Sequence, residues 1–247
     1  MKVIILAGGE GTRILEETKT KPKALVEIVG TPIIRHIMNI YQNNGFNDFL
    51  ILTGYKSDCL FQYFSSITDA EFKDKKVLTV RTDSFSATLL NTGEKTGSAQ
   101  RLLLAREYID NEDFMLTYCD GICSVDLNEL LKYHQTAKAL VTVTAVKPAP
   151  RFGVMEINDA GVVTRMREKS AVDVDFINGG YMVFNKGCFD YISESTQSLE
   201  SDLLEKIVPT GRLKAYRHFG FWQCMDTLHE KMYLDSLIQN NQLPWLK

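Results

Sequence analysis

The sequence predicts an α/β fold: a doubly wound, mostly parallel sheet with a smaller β-rich insertion. Three observations predict it. Apolar runs and amphipathic stretches alternate over about the first 150 residues. The first apolar run, Val3–Ala7, stops at glycines, as a buried parallel strand does where it enters a functional loop. No low-complexity linker or internal repeat divides the 247 residues, so we expect one domain, 1–247, with a change of character near residue 150.

Each element follows from its pattern. After the first strand, "IIRHIMNIYQNNGF" places apolar residues three and four apart, an amphipathic helix stopped by Asn44-Gly45. "DFLILTG" is a second strand, "DCLFQYFSSI" a helix and "VLTVRTD" a third strand. "SAQRLLLAREYI" is a helix with Ser98 as its expected N-cap. "FMLTYCDGI" is a buried strand that ends in an acid and a glycine, followed by the helix "LNELLKYHQTAK" and the strand "ALVTVTAVKP". Repeated β-then-α order gives a Rossmann-like sheet with ligands at the carboxyl ends of its strands. From Arg151 the chain turns β-rich. "FGVMEINDAGVVTRMREK" is a hairpin around Asp-Ala-Gly, and "INGGYMVFNKGCF" is a strand entered through two glycines. A helix ("ESDLLEKIVPTG"), a strand ("RLKAYRHF") and a last helix ("TLHEKMYLDSLIQ") complete it.

Composition removes several classes of function. A net charge of −3 argues against a nucleic-acid partner held mainly by phosphate contacts. No apolar stretch approaches membrane-span length, and the N-terminal run is too short for a signal peptide, so a cytoplasmic protein is expected. The five cysteines (Cys59, Cys119, Cys123, Cys188, Cys224) lack zinc-ligand spacing and read as reduced thiols. His36, His134, His218 and His229 show no ligand spacing either.

The stretch "ILAGGEGTRILEETKTKPKALVEI" is the richest in chemistry. A strand, glycines and a Thr-Arg pair at a helix-like start would turn backbone N–H groups toward a phosphate. It contains no G-x-x-x-x-G-K-[ST], so it is not a P-loop. It supplies only half of G-x-G-x-x-G, because Ile14 stands where the third glycine belongs. Glycines alone would be a tight turn.

The pattern L-A-G-G-x-G-T-R, followed ten residues later by K-P-K, resembles the signature of the sugar-nucleotide pyrophosphorylases. These nucleotidyltransferases join a nucleoside triphosphate to a sugar 1-phosphate. The reaction brings two anions into line and must offset charge on the phosphoryl oxygens; it needs no protein nucleophile. The resemblance implies that Leu6, Ala7, Gly8, Gly9, Glu10, Gly11, Thr12 and Arg13 wrap the triphosphate. Arg13 and Lys23 would be the catalytic cations, with Lys21 outside. Asp120 in "TYCDG" and Asp226 in "GFWQCMDT" would share Mg²⁺, which takes a few carboxylates plus phosphates and water. Asp226 could equally cap the last helix. Thr96, Gly97 and Arg101 would meet the base and its phosphates, beside Cys119. Gly153, Glu168, Lys169, Asn178 and Gly179 would hold the sugar phosphate. Trp222 would either stack on a ring or pack the core.

"RFGVMEI", "INGGYMVFN" and "GFWQCMDTLHEKMYL", with the opening stretch, narrow the likeness to the glucose-1-phosphate cytidylyltransferase family over nearly the whole chain. That family has glycine where Cys119 stands, proline where Ser170 stands, and a longer region around 65–92. The resemblance implies that CTP and α-D-glucose 1-phosphate give CDP-glucose and pyrophosphate, for surface-polysaccharide sugars, in a homo-oligomer. It would divide the domain into a nucleotide-binding part (about 1–150) and a sugar-phosphate part (about 151–247). The alternatives are the same chemistry with GTP, UTP or dTTP and another sugar such as a heptose phosphate, or a non-catalytic sugar-nucleotide-binding protein.

Overall fold

A computed structural model describes residues 1–110, 113–149, 153–167 and 175–246. The first half contains β1 (Lys2–Ala7), α1 (Leu15–Thr18), β2 (Glu27–Ile28), β3 (Thr31–Pro32) and α2 (Ile33–Asn43). Then come β4 (Asp48–Thr53), α3 (Ser57–Ser65), β5 (Ala70–Asp74), β6 (Val77–Arg81), β7 (Ser86–Asn91) and α4 (Ser98–Leu104). They are followed by β8 (Asp113–Tyr118), β9 (Gly121–Cys123), α5 (Leu127–Thr136) and β10 (Val141–Val146). The remainder is β11 (Val154–Ile157), β12 (Val163–Arg167), β13 (Ile177–Asn185), α6 (Glu205–Ile207), β14 (Leu213–Arg217), β15 (Trp222–Cys224) and α7 (Leu228–Gln239).

Nine strands form the main sheet in the order β14-β10-β13-β8-β1-β4-β7-β6-β5. β4, β1 and β8 run parallel, as do β4 with β7 and β10 with β14. Only β13 and β6 oppose the common direction. The chain leaves β1 toward β4 and β7, then returns to the other side of β1 as β8. That reversal opens a crevice beyond the carboxyl ends of β1 and β8, where open α/β sheets bind ligands.

Alternation along β1 explains why the sheet is covered on both faces. Val3, Ile5 and Ala7 enter one core with α2, α5 and α7 residues such as Ile37, Leu130 and Leu234. Ile4 and Leu6 enter a second core with Ala99 and Leu102 of α4 and with Leu199, Leu203 and Ile207. The apolar face of α2 is wholly buried from Ile33 to Tyr41, and Gly45, at φ 86°, turns the chain after it.

Several expectations change here. Of the β-rich second half, the β11–β12 hairpin stands apart as its own two-stranded sheet, and β15 pairs with β9 in another. β13 and β14 instead join the main sheet, β13 wedged antiparallel between β8 and β10. Ser98 does not cap α4: Gly97 is the cap residue and makes no side-chain bond, while the Ser98 hydroxyl accepts from the Leu199 N–H at 2.8 Å. The stretch 199–210 is not one regular helix but a π turn, the short α6 and a 3₁₀ turn ended by Gly211 at φ 67°.

Candidate active site

The glycine-rich loop follows β1 directly. Gly11 adopts φ +65°, which disfavours any side chain there, and a Cβ would also lie 3.0 Å from Thr18 Cγ2 and 3.1 Å from Lys23 Cβ. The Thr18 hydroxyl, buried, faces the carbonyls of Gly11 and Ile14, each at 3.1 Å, and so ties the loop to α1. A cavity of about 450 Å³ opens on this loop. It is lined by Leu6, residues 8–13, Lys23, Thr96, Arg101, Cys119 and Asp120, together with Glu94, Lys95, Ser98 and Tyr118. Ala7 and Gly97 are not on its wall: Ala7 is buried at the end of β1, and Gly97 is packed against the Gln197 carbonyl.

Pro22, extended at ψ 155°, brings Lys23 into a 3₁₀ turn and turns it inward. The side chain is buried, and its ammonium meets Asp120 Oδ2 at 2.7 Å and Asp226 Oδ1 at 2.5 Å. Burial opposes the charge, but the two carboxylates outweigh it and raise the Lys23 ammonium above the ordinary lysine value. Arg13, largely exposed, donates to Asp226 Oδ2 at 2.5 Å. Against its own desolvation, Asp226 is held below the usual aspartate range by Lys23 and Arg13. Lys21 points elsewhere, toward Glu27 at 3.7 Å and Glu17 at 4.0 Å.

A short ribbon brings the two aspartates together. β9 and β15 pair antiparallel, Gly121 opposite Cys224, and the Met225 N–H donates to the Asp120 carbonyl at 2.8 Å. Asp120 precedes one strand and Asp226 follows the other, so both acids emerge at the same end. Tyr181 supports this end, its hydroxyl donating to the Gly121 carbonyl at 2.9 Å. Asp226 is not the helix cap: Thr227 is, with its side chain and Glu230 forming a capping box.

Arg101, expected on the base and phosphates, is engaged differently. Its buried guanidinium donates to Thr53 O at 2.9 Å, Gly93 O at 2.8 Å, Gly8 O at 3.1 Å, Glu94 O at 3.2 Å and Thr92 Oγ1 at 2.5 Å. It therefore braces the loops that leave β1, β4 and β7. A Cβ at Gly8 would fall 2.3 Å from Arg101 Cζ, so this glycine makes room for the brace. The Thr96 hydroxyl bonds to the Thr92 carbonyl at 2.5 Å.

On the other side of the crevice, Gly179 and Gly180 allow close approach. A Cβ at Gly179 would meet Val146 at 2.8 Å; Gly180 has φ +83° and lies against the Tyr118 ring. The Asn178 side chain accepts from the Gly180 N–H at 3.0 Å. Trp222 packs on the core, donates to the Gly179 carbonyl at 2.8 Å and also borders a second cavity of about 650 Å³. Gly153 is exposed, with the Arg167 carbonyl 3.2 Å from where a Cβ would stand. Glu168 and Lys169 lie outside the described residues.

The thiols near the site are poor nucleophiles. Burial and the neighbouring Asp120 charge push Cys119 up to about 12, and burial with the Glu230, Asp226 and Asp120 charges does the same for Cys224. His36 and His134 are buried, and burial lowers both below the ordinary histidine value. Among the described residues no group of three His, Cys, Asp or Glu side chains could hold a metal. Two carboxylates facing one cation remain, a donor set that suits Mg²⁺ when phosphates and water supply its other ligands.

A glycine-rich loop at the switch point, with a lysine between two acids, is the construction of a protein that handles nucleotide phosphates. The chain matches the nucleotidyl transferase model over residues 2–229 and belongs to that family. It is 39% identical over 254 residues to the glucose-1-phosphate cytidylyltransferases of Salmonella typhimurium and Salmonella typhi. Those alignments cover 99% of this chain and 98% of each relative. Among solved structures, HddC from Yersinia pseudotuberculosis complexed with GMP-PN shares the fold, with a TM-score of 0.71 at 22% identity. That match covers 96% of this chain and 99% of HddC.

Proposed function

We propose that the protein is an enzyme joining CTP to α-D-glucose 1-phosphate, giving CDP-glucose and pyrophosphate. The observation that carries this reading is the Lys23 ammonium between Asp120 and Asp226, in the cavity that the glycine-rich loop lines. The full-length likeness to two glucose-1-phosphate cytidylyltransferases supports the choice of substrates.

In this reading the loop from Leu6 to Arg13 cradles the triphosphate with its backbone N–H groups, and Thr96 and Gly97 lie on the nucleoside side. Asn178 and Gly179, with Gly153, Glu168 and Lys169, receive the sugar phosphate. Asp120 and Asp226 would hold Mg²⁺, whose charge offsets that developing on the phosphoryl oxygens. Lys23 and Arg13 then exchange carboxylate partners for phosphate oxygens. A sugar-phosphate oxygen attacks the α-phosphorus, a new P–O bond forms, and the bond to the β-phosphate breaks in line with it. Pyrophosphate leaves with its electron pair, and no group on the protein is covalently modified. The elevated thiols of Cys119 and Cys224 agree with such a direct transfer.

The test is pyrophosphate release from CTP, GTP, UTP and dTTP, each paired with glucose 1-phosphate and with a heptose 1-phosphate. Release strongest with CTP and glucose 1-phosphate supports the reading; strongest release with another pair replaces the substrates. Release with none overturns the enzymatic reading. No described helix is long and apolar enough to cross a membrane, in keeping with a biosynthetic enzyme of the cytoplasm.

A further inference from the structure

The start of α7 carries one contact that the transfer chemistry does not use. Thr227 Oγ1 accepts from the Glu230 N–H at 3.3 Å, and Glu230 Oε2 accepts in return from the Thr227 N–H at 2.9 Å. That exchange satisfies two amides at a helix start and is complete in itself. Yet the same Oε2 also accepts from the Asp226 N–H, at 2.8 Å. Asp226 lies one residue outside the cap, so the helix gains nothing from this third contact. Glu230 is only 8% exposed, and its other oxygen faces Cys224 Sγ at 3.7 Å.

We infer that Glu230 is a positioning residue, which fixes the backbone of Asp226 so that its carboxylate faces the cation shared with Asp120. The inference rests on the reading of Asp226 as a Mg²⁺ ligand. β15 ends at Cys224, and the chain then has two residues before the cap in which to aim a carboxylate. Met225 is tied by its N–H to the Asp120 carbonyl, and Asp226 by its own N–H to Glu230. With both peptides held, the backbone of Asp226 is fixed, and its carboxylate is aimed through the side-chain torsions alone, here toward Lys23 and Arg13. Without Glu230, the backbone at residue 226 would keep only the neighbouring Met225 anchor, and each metal-binding event, which draws the carboxylate away from Lys23 and Arg13, would have to order it. Groups that orient a metal ligand in this way commonly govern affinity without touching the ion.

The experiment separates capping from positioning. The dissociation constant for CTP is measured by calorimetry with Mn²⁺ and again with EDTA, and the ratio gives the affinity gained from metal. In E230A that gain should fall about 10- to 100-fold, as outer-shell losses commonly do, while metal-free CTP binding stays unchanged. T227A removes the hydroxyl half of the box but leaves the Asp226 contact. It should lower the melting temperature and keep the full metal gain. E230Q retains an acceptor oxygen at the same reach and should also keep it. If E230A does not fold, E230M takes its place, similar in volume and well suited to a helix. Should the alanine or methionine variant keep the wild-type metal gain, Glu230 is only a cap and the inference is overturned. A wild-type protein that binds CTP with no gain from Mn²⁺ overturns the Mg²⁺ reading itself, and the inference with it.

Discussion

Lys23 and Asp226 lie 203 residues apart in the chain, and their side chains meet at 2.5 Å. The same ammonium reaches Asp120 at 2.7 Å, so one cation holds two acids that would otherwise repel. In the proposed reaction that charge, with Arg13, passes from the acids to substrate phosphates. K23A should therefore slow pyrophosphate release by about 10²- to 10³-fold, the usual cost of removing one pre-set electrostatic donor. Turnover near the wild-type rate would remove Lys23 from the chemistry.

The two aspartates should differ from a neutral surface pair in their demand for metal. In the proposed Mg²⁺ site, D120N and D226N each replace one of the two carboxylates that meet at Lys23 by a neutral amide. In each variant the Mg²⁺ concentration needed for half-maximal rate should rise about tenfold or more, the scale on which lost ligand partners act. A magnesium titration superimposable on the wild type for either variant would take that residue out of the metal site.

Acid should expose the strength of the Lys23–Asp226 pair. Asp226 is depressed below its ordinary 3.8, so the folded state binds its proton less readily than the unfolded chain does. Its contribution is therefore complete above the ordinary aspartate value and is lost as pH falls through the lower folded one. Lys23 is shifted upward, so its share is complete below the ordinary lysine value and fades only as pH rises through the folded one. Urea unfolding of metal-free protein should show wild type more stable than D226N at pH 7, with the gap closing below about pH 4, near the unfolded aspartate value. A gap that stays constant down to pH 2.5 would mean that the pair contributes nothing to the fold.

The sequence revealed local periodicity more readily than it revealed partners. β1 and α2 were legible because their apolar residues repeat at the period of the element that buries them. β5 was not: "AEFKD" is an edge strand whose residues remain mostly exposed, so its pattern carries no burial signal. β7 lies inside the sheet, between β4 and β6, but it begins with Ser-Ala-Thr and offers only Leu89 and Leu90 as an apolar run, too short a pattern to read as a strand. β13 could be read as a strand, but its place between β8 and β10 depends on pairing with segments far away in the chain. The same distinction runs through the site. Residues 8–13, Lys23, Asp120 and Asp226 occupy fixed motif spacings and do converge. Tyr118 was missed although it ends β8 two residues before Asp120 and lines the same cavity. Thr227 displaced Asp226 as the cap because Glu230 completes a box only with the later residue.

Arg101 offers the sharpest separation between a substrate contact and a brace. If it served only the nucleotide, R101K would weaken CTP binding and leave stability unchanged. The structure has its buried guanidinium donating to four carbonyls and one hydroxyl drawn from three loops. A lysine ammonium has three donors and no planar fork, so it cannot serve that set. Carbonyls at Gly8, Gly93 and Glu94 would compete for what remains. Each buried acceptor left unmatched costs about 1–3 kcal/mol. R101K should therefore lower the urea midpoint clearly in the absence of any ligand, and weaken CTP binding as a consequence of loosened loops. G8A should do the same from the opposite side, because its methyl group would occupy the space of the guanidinium. If R101K keeps the wild-type midpoint while CTP affinity falls, Arg101 is a contact residue and the brace is incidental.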